Sequence, residues 1–219
     1  MRIVISEFMS LDGVCQAPGG PEEDTEGGFR HGGWSMPFFD PEVMGAAIGE
    51  GFATTEALLF GRRTWAGMAK AWPERSGDEF ADAMNEIEKH VVSSTLTEAD
   101  LTWRNTNLIP GTGALDAIRS LKERDGGDLQ VMGSLTLARS LLEADLVDEL
   151  NLMIEPVRLG GGKRLFPDDG SARPMRLVSH TVAPTGVMVC KYQPTGEPLR
   201  PGHSDELYED PESPPVKPA

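Results

Sequence analysis

Short apolar runs alternate with amphipathic helical stretches along most of this chain, and this alternation constrains the fold more than any other feature. The apolar runs span residues 2–10, 57–60, 90–93, 129–132 and 146–154. Segments such as "DEFADAMNEIEKH" and "GALDAIRSLKERDGG" lie between them and carry apolar residues at helical spacing. Because strands that alternate with helices form crossover units, we expect an α/β fold around a mostly parallel sheet.

The pattern changes towards the C-terminus. The segment "MRLVSHTVAPTGVMVCKYQP" contains two strand-like runs around a turn-like "APTG", which predicts a hairpin and an antiparallel end to the sheet. From residue 195 the chain is rich in proline and acidic residues, which is typical of a disordered or loosely attached tail. We therefore expect one domain over residues 1–194 and a tail over residues 195–219.

Charge and cysteine content narrow the possible functions. The formal net charge is -15, which argues against a nucleic-acid partner because a phosphate polymer would be repelled. Cys15 and Cys190 form neither a CxxC pair nor a disulfide framework, as expected in a reducing compartment. The sequence shows neither a signal-peptide pattern nor a run of the roughly 20 apolar residues that a membrane span needs. We expect a cytoplasmic protein with no membrane partner.

One strand end stands out by its charge. In "LLFGRRTWAGM", Gly61 permits a tight turn, Arg62 and Arg63 add positive charge, and the Thr64 hydroxyl can join free backbone amides as a donor. One interpretation is an anion cradle. The other is a solvated helix N-terminus, and the residues alone leave both open.

Two further strand ends carry small polar residues. Ser93 and Ser94 follow a buried strand in "VVSSTL", while Gly133 and Ser134 end a strand and open a helix in "VMGSLTLARSLL". The second turn lacks the G-x-G-x-x-G fingerprint, which excludes an ordinary Rossmann site. Ligands of open α/β sheets bind outside the carboxyl ends of the strands, so the three turns could meet one ligand.

Five segments, in this order, resemble the dihydrofolate reductase superfamily, and most closely its bacterial branch related to the reductase domain of the riboflavin-biosynthesis deaminase/reductase. They are "SLDG", "LLFGRRTWAGM", "VVSSTL", "VMGSLTLARSLLEADLVDEL" and "PVRLGGGKRLF". The resemblance covers about residues 1–194 and implies a three-layer α/β/α dihydrofolate reductase-like fold. Its mostly parallel eight-stranded sheet would end in an antiparallel hairpin, with NADPH across the strand ends. This branch often forms homodimers, so we expect pairing through the hairpin or an edge strand.

The resemblance assigns three groups of residues to the cofactor. The 2'-phosphate and pyrophosphate would be bound by Gly61, Arg62, Arg63 and Thr64, and the adenosine by Ser93 and Ser94. The glycine-rich turn at the pyrophosphate would be Gly133, Ser134, Leu135 and Thr136. The family's run of glycines is reduced here to Gly133. Arginine near the ribose favours NADPH over NADH, because a guanidinium pairs with the extra phosphate. The histidines are scattered without ligand spacing, so no metal site is expected.

Two carboxylates are candidates for the catalytic end. Asp40 in "WSMPFFDPE" occupies the place of the carboxylate that holds the pterin in dihydrofolate reductases, and it is equally suited to cap a helix that begins at Pro41. Asp12 in "SLDG" could shape the nicotinamide pocket or form a turn with Gly13. Met153 stands where folate reductases usually have a threonine, which argues against folate as substrate.

Two glycine-rich segments remain. Residues 15–39 form a long glycine-rich loop directly after the first strand, and the loop over residues 12–39 is expected to act as a lid. In "RLGGGKRLF", residues 160–162 could bind an anion or serve tight backbone packing. The sequence predicts a cytoplasmic NADPH-dependent reductase of a small heterocyclic or carbonyl substrate. The alternatives are a 5-amino-6-(5-phosphoribosylamino)uracil reductase-type activity and a nucleotide-binding module without turnover.

Overall fold

The computed structural model describes residues 1–166, 168–200 and 202. Its strands, in chain order, are β1 (Arg2–Ser10), β2 (Thr55–Gly61), β3 (Glu88–Ser93), β4 (Thr106–Pro110), β5 (Asp128–Met132), β6 (Glu149–Glu155), β7 (Met175–Val182) and β8 (Met188–Pro194). Its helices are α1 (Val43–Ala53), α2 (Arg62–Ala71), α3 (Glu79–Glu86), α4 (Ala114–Lys122) and α5 (Leu135–Glu143). Short 3-10 turns cover Glu26–Gly28, Met36–Phe38 and Glu98–Asp100.

All eight strands form one sheet in the order β4-β3-β2-β5-β1-β6-β8-β7. The pairs from β4 to β6 are parallel, whereas β6–β8 and β7–β8 are antiparallel. The mostly parallel sheet with an antiparallel C-terminal hairpin is therefore confirmed. In a parallel sheet the carboxyl ends of neighbouring strands share one edge, so the turns after β2, β3, β4 and β5 are brought together.

Helices cover both faces of the sheet, which gives three layers. Ile5, Leu59 and Val131 lie on one face and pack against α4 and α5. On the opposite face, Leu58 and Phe60 pack against α2 and α3. The remainder of that face, around β1 and β8, is covered by α1 through Met44, together with Phe38 and Phe39 at the end of the lid loop.

Some boundaries differ from those expected. The helix expected at Pro41 begins at Val43, because the preceding residues form a turn. The helix expected to continue to His90 ends at Glu86, and β3 begins at Glu88. The buried ammonium of Lys89 donates to the carbonyls of Asn85, Ile87 and Arg104 at 3.0, 2.7 and 3.2 Å. A cation that satisfies carbonyls at a helix end stabilises the termination.

Strand β4 was not expected from the sequence, and β6 begins at Glu149 rather than at residue 146. Most of the predicted tail, residues 201 and 203–219, lies outside the described residues, so its disorder and the domain boundary at residue 194 stay predictions. Within the described part of the chain, no helix has the length and apolar character needed to cross a membrane.

Candidate active site

A cleft of about 720 Å³ opens at the carboxyl edge of the parallel strands. Three helices, α2, α4 and α5, begin at this cleft, each directly after a strand or a strand-end turn. The first amides of a helix lack intrahelical acceptors and carry the positive end of its dipole, so the floor of the cleft favours an anion. Its lining residues are Asp24, Gly61–Thr64, Val92, Gly111, Gly113–Asp116, Arg119, Gly133–Leu137, Ser140 and Lys163.

Two of the predicted turns are linked by side chains at the base of the cleft. The amide of Gly61 donates to Ser134 Oγ at 3.0 Å, and Thr64 Oγ1 donates to the carbonyl oxygen of Gly133 at 3.0 Å. Because these four residues follow adjacent strands, the bonds hold the starts of α2 and α5 side by side. The Thr64 hydroxyl proton is thus directed at Gly133, and Thr64 faces a ligand mainly with its backbone amide.

Gly133 is required at its position by backbone geometry. Its φ is 66°, and a Cβ there would lie 3.3 Å from Thr64 Cγ2. A side chain would be strained and would crowd the turn. The small turn keeps the amides at the start of α5 accessible from the cleft, with Leu135 and Thr136 on its wall.

The two arginines of the first turn differ in their partners. Arg63 forms an ion pair with Glu26 of the lid loop. Arg62 is exposed in the same cleft and forms no ion pair with the part of the chain that the structure describes. Arg62 is consequently the arginine free to bind an incoming anion.

Ser93 and Ser94 lie beside the cleft and are not among its described lining residues. Ser93 Oγ accepts from the amides of Thr95 and Leu96 at 3.1 and 3.0 Å, which is a local turn contact. The carbonyl of Ser93 accepts from the amide of Gly111, which does line the cleft, at 2.9 Å. The serines therefore border the site through the turn after β4.

The far end of the cleft was missed by the sequence reasoning. It is built by the turn after β4 and by the start of α4, including Gly113, Asp116 and Arg119. Asp116 Oδ1 pairs with Arg119 Nη1 at 2.7 Å. The signal that could have found this end is the "GTG" before the amphipathic helix, which follows the strand that went unrecognised.

The lid loop reaches the near end of the cleft. Its residue Asp24 lines the cleft together with Lys163 of the segment after β6. Lys163 Nζ contacts Glu26 Oε2 at 2.6 Å and pairs with Asp24. Gln16, which is 2% exposed, donates to the carbonyls of Asp24 and Glu26 and accepts from the amide of Lys163. The side chain of Gln16 thus fixes the lid against that segment.

Asp12 is held by hydrogen bonds and lies outside the described cleft lining. Its carboxylate accepts from the amides of Leu159 and Gly160 at 3.0 and 2.8 Å and from Ser10 Oγ at 2.8 Å. Although partial burial opposes ionisation, these donors lower the pKa of Asp12 to about 2. Asp12 therefore joins β1 to the glycine-rich segment and remains ionised at neutral pH.

Asp40 also lies outside the described cleft lining. Its Oδ1 accepts from the amide of Val43 at 2.8 Å, and its carbonyl accepts from Met44 at 2.9 Å. These contacts are those of a residue that stabilises the start of α1. Its catalytic role, like that of Asp12, stays a prediction.

Two buried carboxyl groups beneath the lid were missed by the sequence reasoning. Glu155, fully buried at the end of β6, accepts from Ser35 Oγ at 2.7 Å and from the amide of Met9 at 3.1 Å. Burial raises its pKa to about 7 against the opposing effect of these donors. Glu7 in β1 is 4% exposed, and its Oε1 lacks a hydrogen-bond partner among the described residues. Burial raises the pKa of Glu7 to about 8, opposed by the nearby amide of Gly133.

The comparisons with known proteins agree with this architecture. A sequence model of the RibD C-terminal domain matches residues 2–189. The uncharacterized protein YyaP of Bacillus subtilis (strain 168) is 24% identical over 199 residues, which is 89% of this chain and 96% of YyaP.

Two solved structures share the fold. A candidate riboflavin biosynthesis protein from Shewanella sp. PV-4 aligns with a TM-score of 0.68 at 20% identity, covering 89% of this chain and 99% of that chain. Dihydrofolate reductase from Enterococcus faecalis, in complex with NADP(H), aligns with a TM-score of 0.55 at 15% identity, covering 89% of this chain and 96% of that chain. The dihydrofolate reductase-like fold is thereby confirmed.

Proposed function

The chain belongs to the RibD C-terminal domain family, and we propose that it is an NADPH-dependent reductase of a small heterocyclic or carbonyl substrate. Membership of this family supports a reductase-type function, while the cofactor and substrate are the proposal. The observation that carries it is the meeting of three helix N-termini and the exposed Arg62 in one cleft. Such a cleft suits the phosphates of a dinucleotide.

The residues present fit this cofactor. Arg62 would bind the 2'-phosphate, and the amides of the turn at Gly133 and of Thr64 would bind the pyrophosphate. The Cβ-free surface of Gly133 and the bonds that join Thr64 to it make a small, pre-formed cradle of donors. The turn at Gly111 and the start of α4, next to Ser93 and Ser94, would hold the adenosine side.

When bound, NADPH supplies the hydride for the reduction. The chain's own contribution would be orientation, exclusion of water by the lid, and a group that holds a proton near the substrate. Glu155 suits the last role, because its pKa of about 7 keeps it partly protonated at neutral pH. Ser35, which lies on the lid loop, donates to Glu155 at 2.7 Å and so couples lid position to this carboxyl group. Asp12, with a pKa of about 2, is unsuited to donating a proton.

The experiment that tests this function has two stages. Calorimetric titration with NADPH and NADH comes first, and NADPH is expected to bind about tenfold more tightly or better through its extra phosphate. Oxidation of NADPH is then followed by absorbance with a panel of dihydrofolate, pyrimidine and quinone substrates. If neither NADPH nor NADH binds, the proposal is contradicted. If NADPH binds but no substrate of the panel causes its oxidation, the nucleotide-binding module without turnover is favoured.

A second candidate is the reduction of a ribosylaminopyrimidine of the 5-amino-6-(5-phosphoribosylamino)uracil type. It is favoured by the match to the RibD C-terminal domain over residues 2–189. That substrate belongs in the same panel. Oxidation of NADPH by it at a rate well above those of the other pyrimidines would select this candidate.

A further inference from the structure

The acidic segment, residues 22–26 of the lid loop, reaches the candidate cofactor cleft through Asp24. Asp24 and Lys163 line the cleft, and Arg63 lies on its wall at the start of α2. Without a partner, the cations Arg63 and Lys163 would attract a phosphate, whereas the carboxylate of Asp24 would repel it. How they are paired therefore decides what an incoming dinucleotide meets.

In the structure, Arg63 and Lys163 are paired with carboxylates of the acidic segment. Glu26 pairs with Arg63 and also contacts Lys163 Nζ at 2.6 Å, while Asp24 pairs with the same ammonium. The Arg63 guanidinium, with Lys163, lowers the pKa of Glu26 to about 2, so this carboxylate is ionised throughout the neutral range. Glu26 thus occupies a site that binds anionic oxygens.

The position of these carboxylates is built into the fold and is not a chance meeting of surface side chains. The buried amide group of Gln16 holds the backbone on both sides, with Nε2 at 3.1 Å from the Asp24 carbonyl and 3.0 Å from the Glu26 carbonyl. Trp34 anchors the other end of the loop by donating to the carbonyl of Gln16 at 2.8 Å. The side chains of Glu26 and Arg63 themselves are half exposed, at 52% and 65%.

We propose that Glu26 is an internal competitor for the cofactor: its carboxylate occupies Arg63 and Lys163 when the cleft is empty, and a phosphate group of the dinucleotide displaces it. This inference rests on the proposed NADPH-binding function. An exposed ion pair is weak and is exchanged easily, whereas a phosphate brings more charge and more acceptor oxygens to the same cations. The acidic segment therefore sets the affinity threshold for the cofactor and favours release after turnover.

The test compares two variants that remove the same charge from the same segment. Glu26→Gln removes the competitor, whereas Glu22→Gln removes an exposed carboxylate that forms no ion pair within the described residues. We expect Glu26→Gln to lower the NADPH dissociation constant about fivefold, and Glu22→Gln to change it by less than about twofold, since long-range charge effects are screened by salt.

A second measurement reports on the lid without the cofactor. Arg30 is exposed on the lid loop, so the rate of tryptic cleavage after Arg30 follows loop opening. The double variant Asp24→Asn/Glu26→Gln is expected to be cleaved several times faster than Glu22→Gln. Cleavage of the double variant no faster than that of Glu22→Gln would show that the ion pairs do not hold the loop, and unchanged NADPH affinity in Glu26→Gln would by itself overturn the competitor role.

The outcomes separate this inference from the proposed function. Measurable NADPH binding to the unaltered protein with equal or weaker binding to Glu26→Gln would overturn the inference alone, because Glu26 would then be neutral or helpful to binding. Loss of NADPH binding in every form of the protein, including the unaltered one, would overturn the proposed function and the inference with it.

Discussion

Ser134 Oγ lies 3.0 Å from the amide nitrogen of Gly61 and accepts its proton, which joins the end of β2 to the start of α5. The two residues are neighbours in space because β2 and β5 are adjacent in the sheet. The bond uses the amide that Gly61 would otherwise leave free at the start of α2. It therefore fixes the separation of two helix N-termini that face the same cleft.

The substitution Ser134→Ala is expected to weaken NADPH binding about fivefold, because the two turns would lose their cross-link and the amides their fixed spacing. The free energy of unfolding should fall by about 1 kcal/mol for the lost hydrogen bond. Isothermal calorimetry and chemical denaturation measure the two effects. Ser120→Ala, at an exposed position of α4, is the control. Equal effects of the two substitutions would contradict a specific role for Ser134.

Arg62→Ala is expected to weaken NADPH binding about tenfold or more while leaving NADH binding nearly unchanged, because only NADPH carries the 2'-phosphate. Titration with both cofactors gives the ratio directly. Arg176→Ala, on exposed β7 at the opposite edge of the sheet, is the matched control. If Arg62→Ala weakens both cofactors equally, Arg62 does not read the 2'-phosphate.

The sheet and the turns after β2 and β5 that line the cleft could be predicted because the relevant signals are local. Gly61 and Gly133 each follow an apolar run directly, Arg62 comes next after Gly61, and parallel strands bring such turns to one edge. Strand β4 carried too little signal: it has five residues, ends in Pro110, and lies at the edge of the sheet, where a proline is tolerated. Missing that strand concealed the α4 end of the cleft.

The buried carboxyl groups could not be predicted for a different reason. Within the first apolar run, Glu7 looks like an interruption, and its burial is decided by the elements that pack over β1. Glu155 lies 120 residues from its donor Ser35 in the chain, and only the lid loop's path over the sheet brings them together. Long-range contacts of this kind leave no periodic trace in the sequence.

Gly162→Ala is expected to destabilise the protein by about 1–3 kcal/mol. Gly162 has a φ of 123°, and an added Cβ would lie 2.7 Å from Val14 Cγ1 and 2.9 Å from Phe29 Cε2. Gly161→Ala is the matched control, because the space around the adjacent glycine is open. Urea denaturation of both variants measures the difference, and equal stability would mean that the glycine-rich segment does not need this close approach to the lid.

Glu7→Gln is expected to make the protein's stability less dependent on pH. The pKa of Glu7 is raised from 4.5 to about 8 in the folded state, so between these values the folded protein holds a proton that the unfolded chain releases. The free energy of unfolding therefore falls as the pH rises through this window, and the stabilisation present below it is lost above about pH 8. For Glu7 the loss between about pH 5 and about pH 8 should be on the order of 4 kcal/mol, at about 1.4 kcal/mol per pH unit, and glutamine, which does not titrate, should abolish that part. Urea denaturation at about pH 5 and about pH 8 measures the change, with Glu56→Gln, at an exposed position near the start of β2, as the control. Since Glu155 also carries a raised pKa, the unaltered protein and Glu7→Gln should both retain a slope, and the shallower one must belong to Glu7→Gln. Parallel curves for the two proteins would show that the Glu7 carboxyl group is not buried in the folded state.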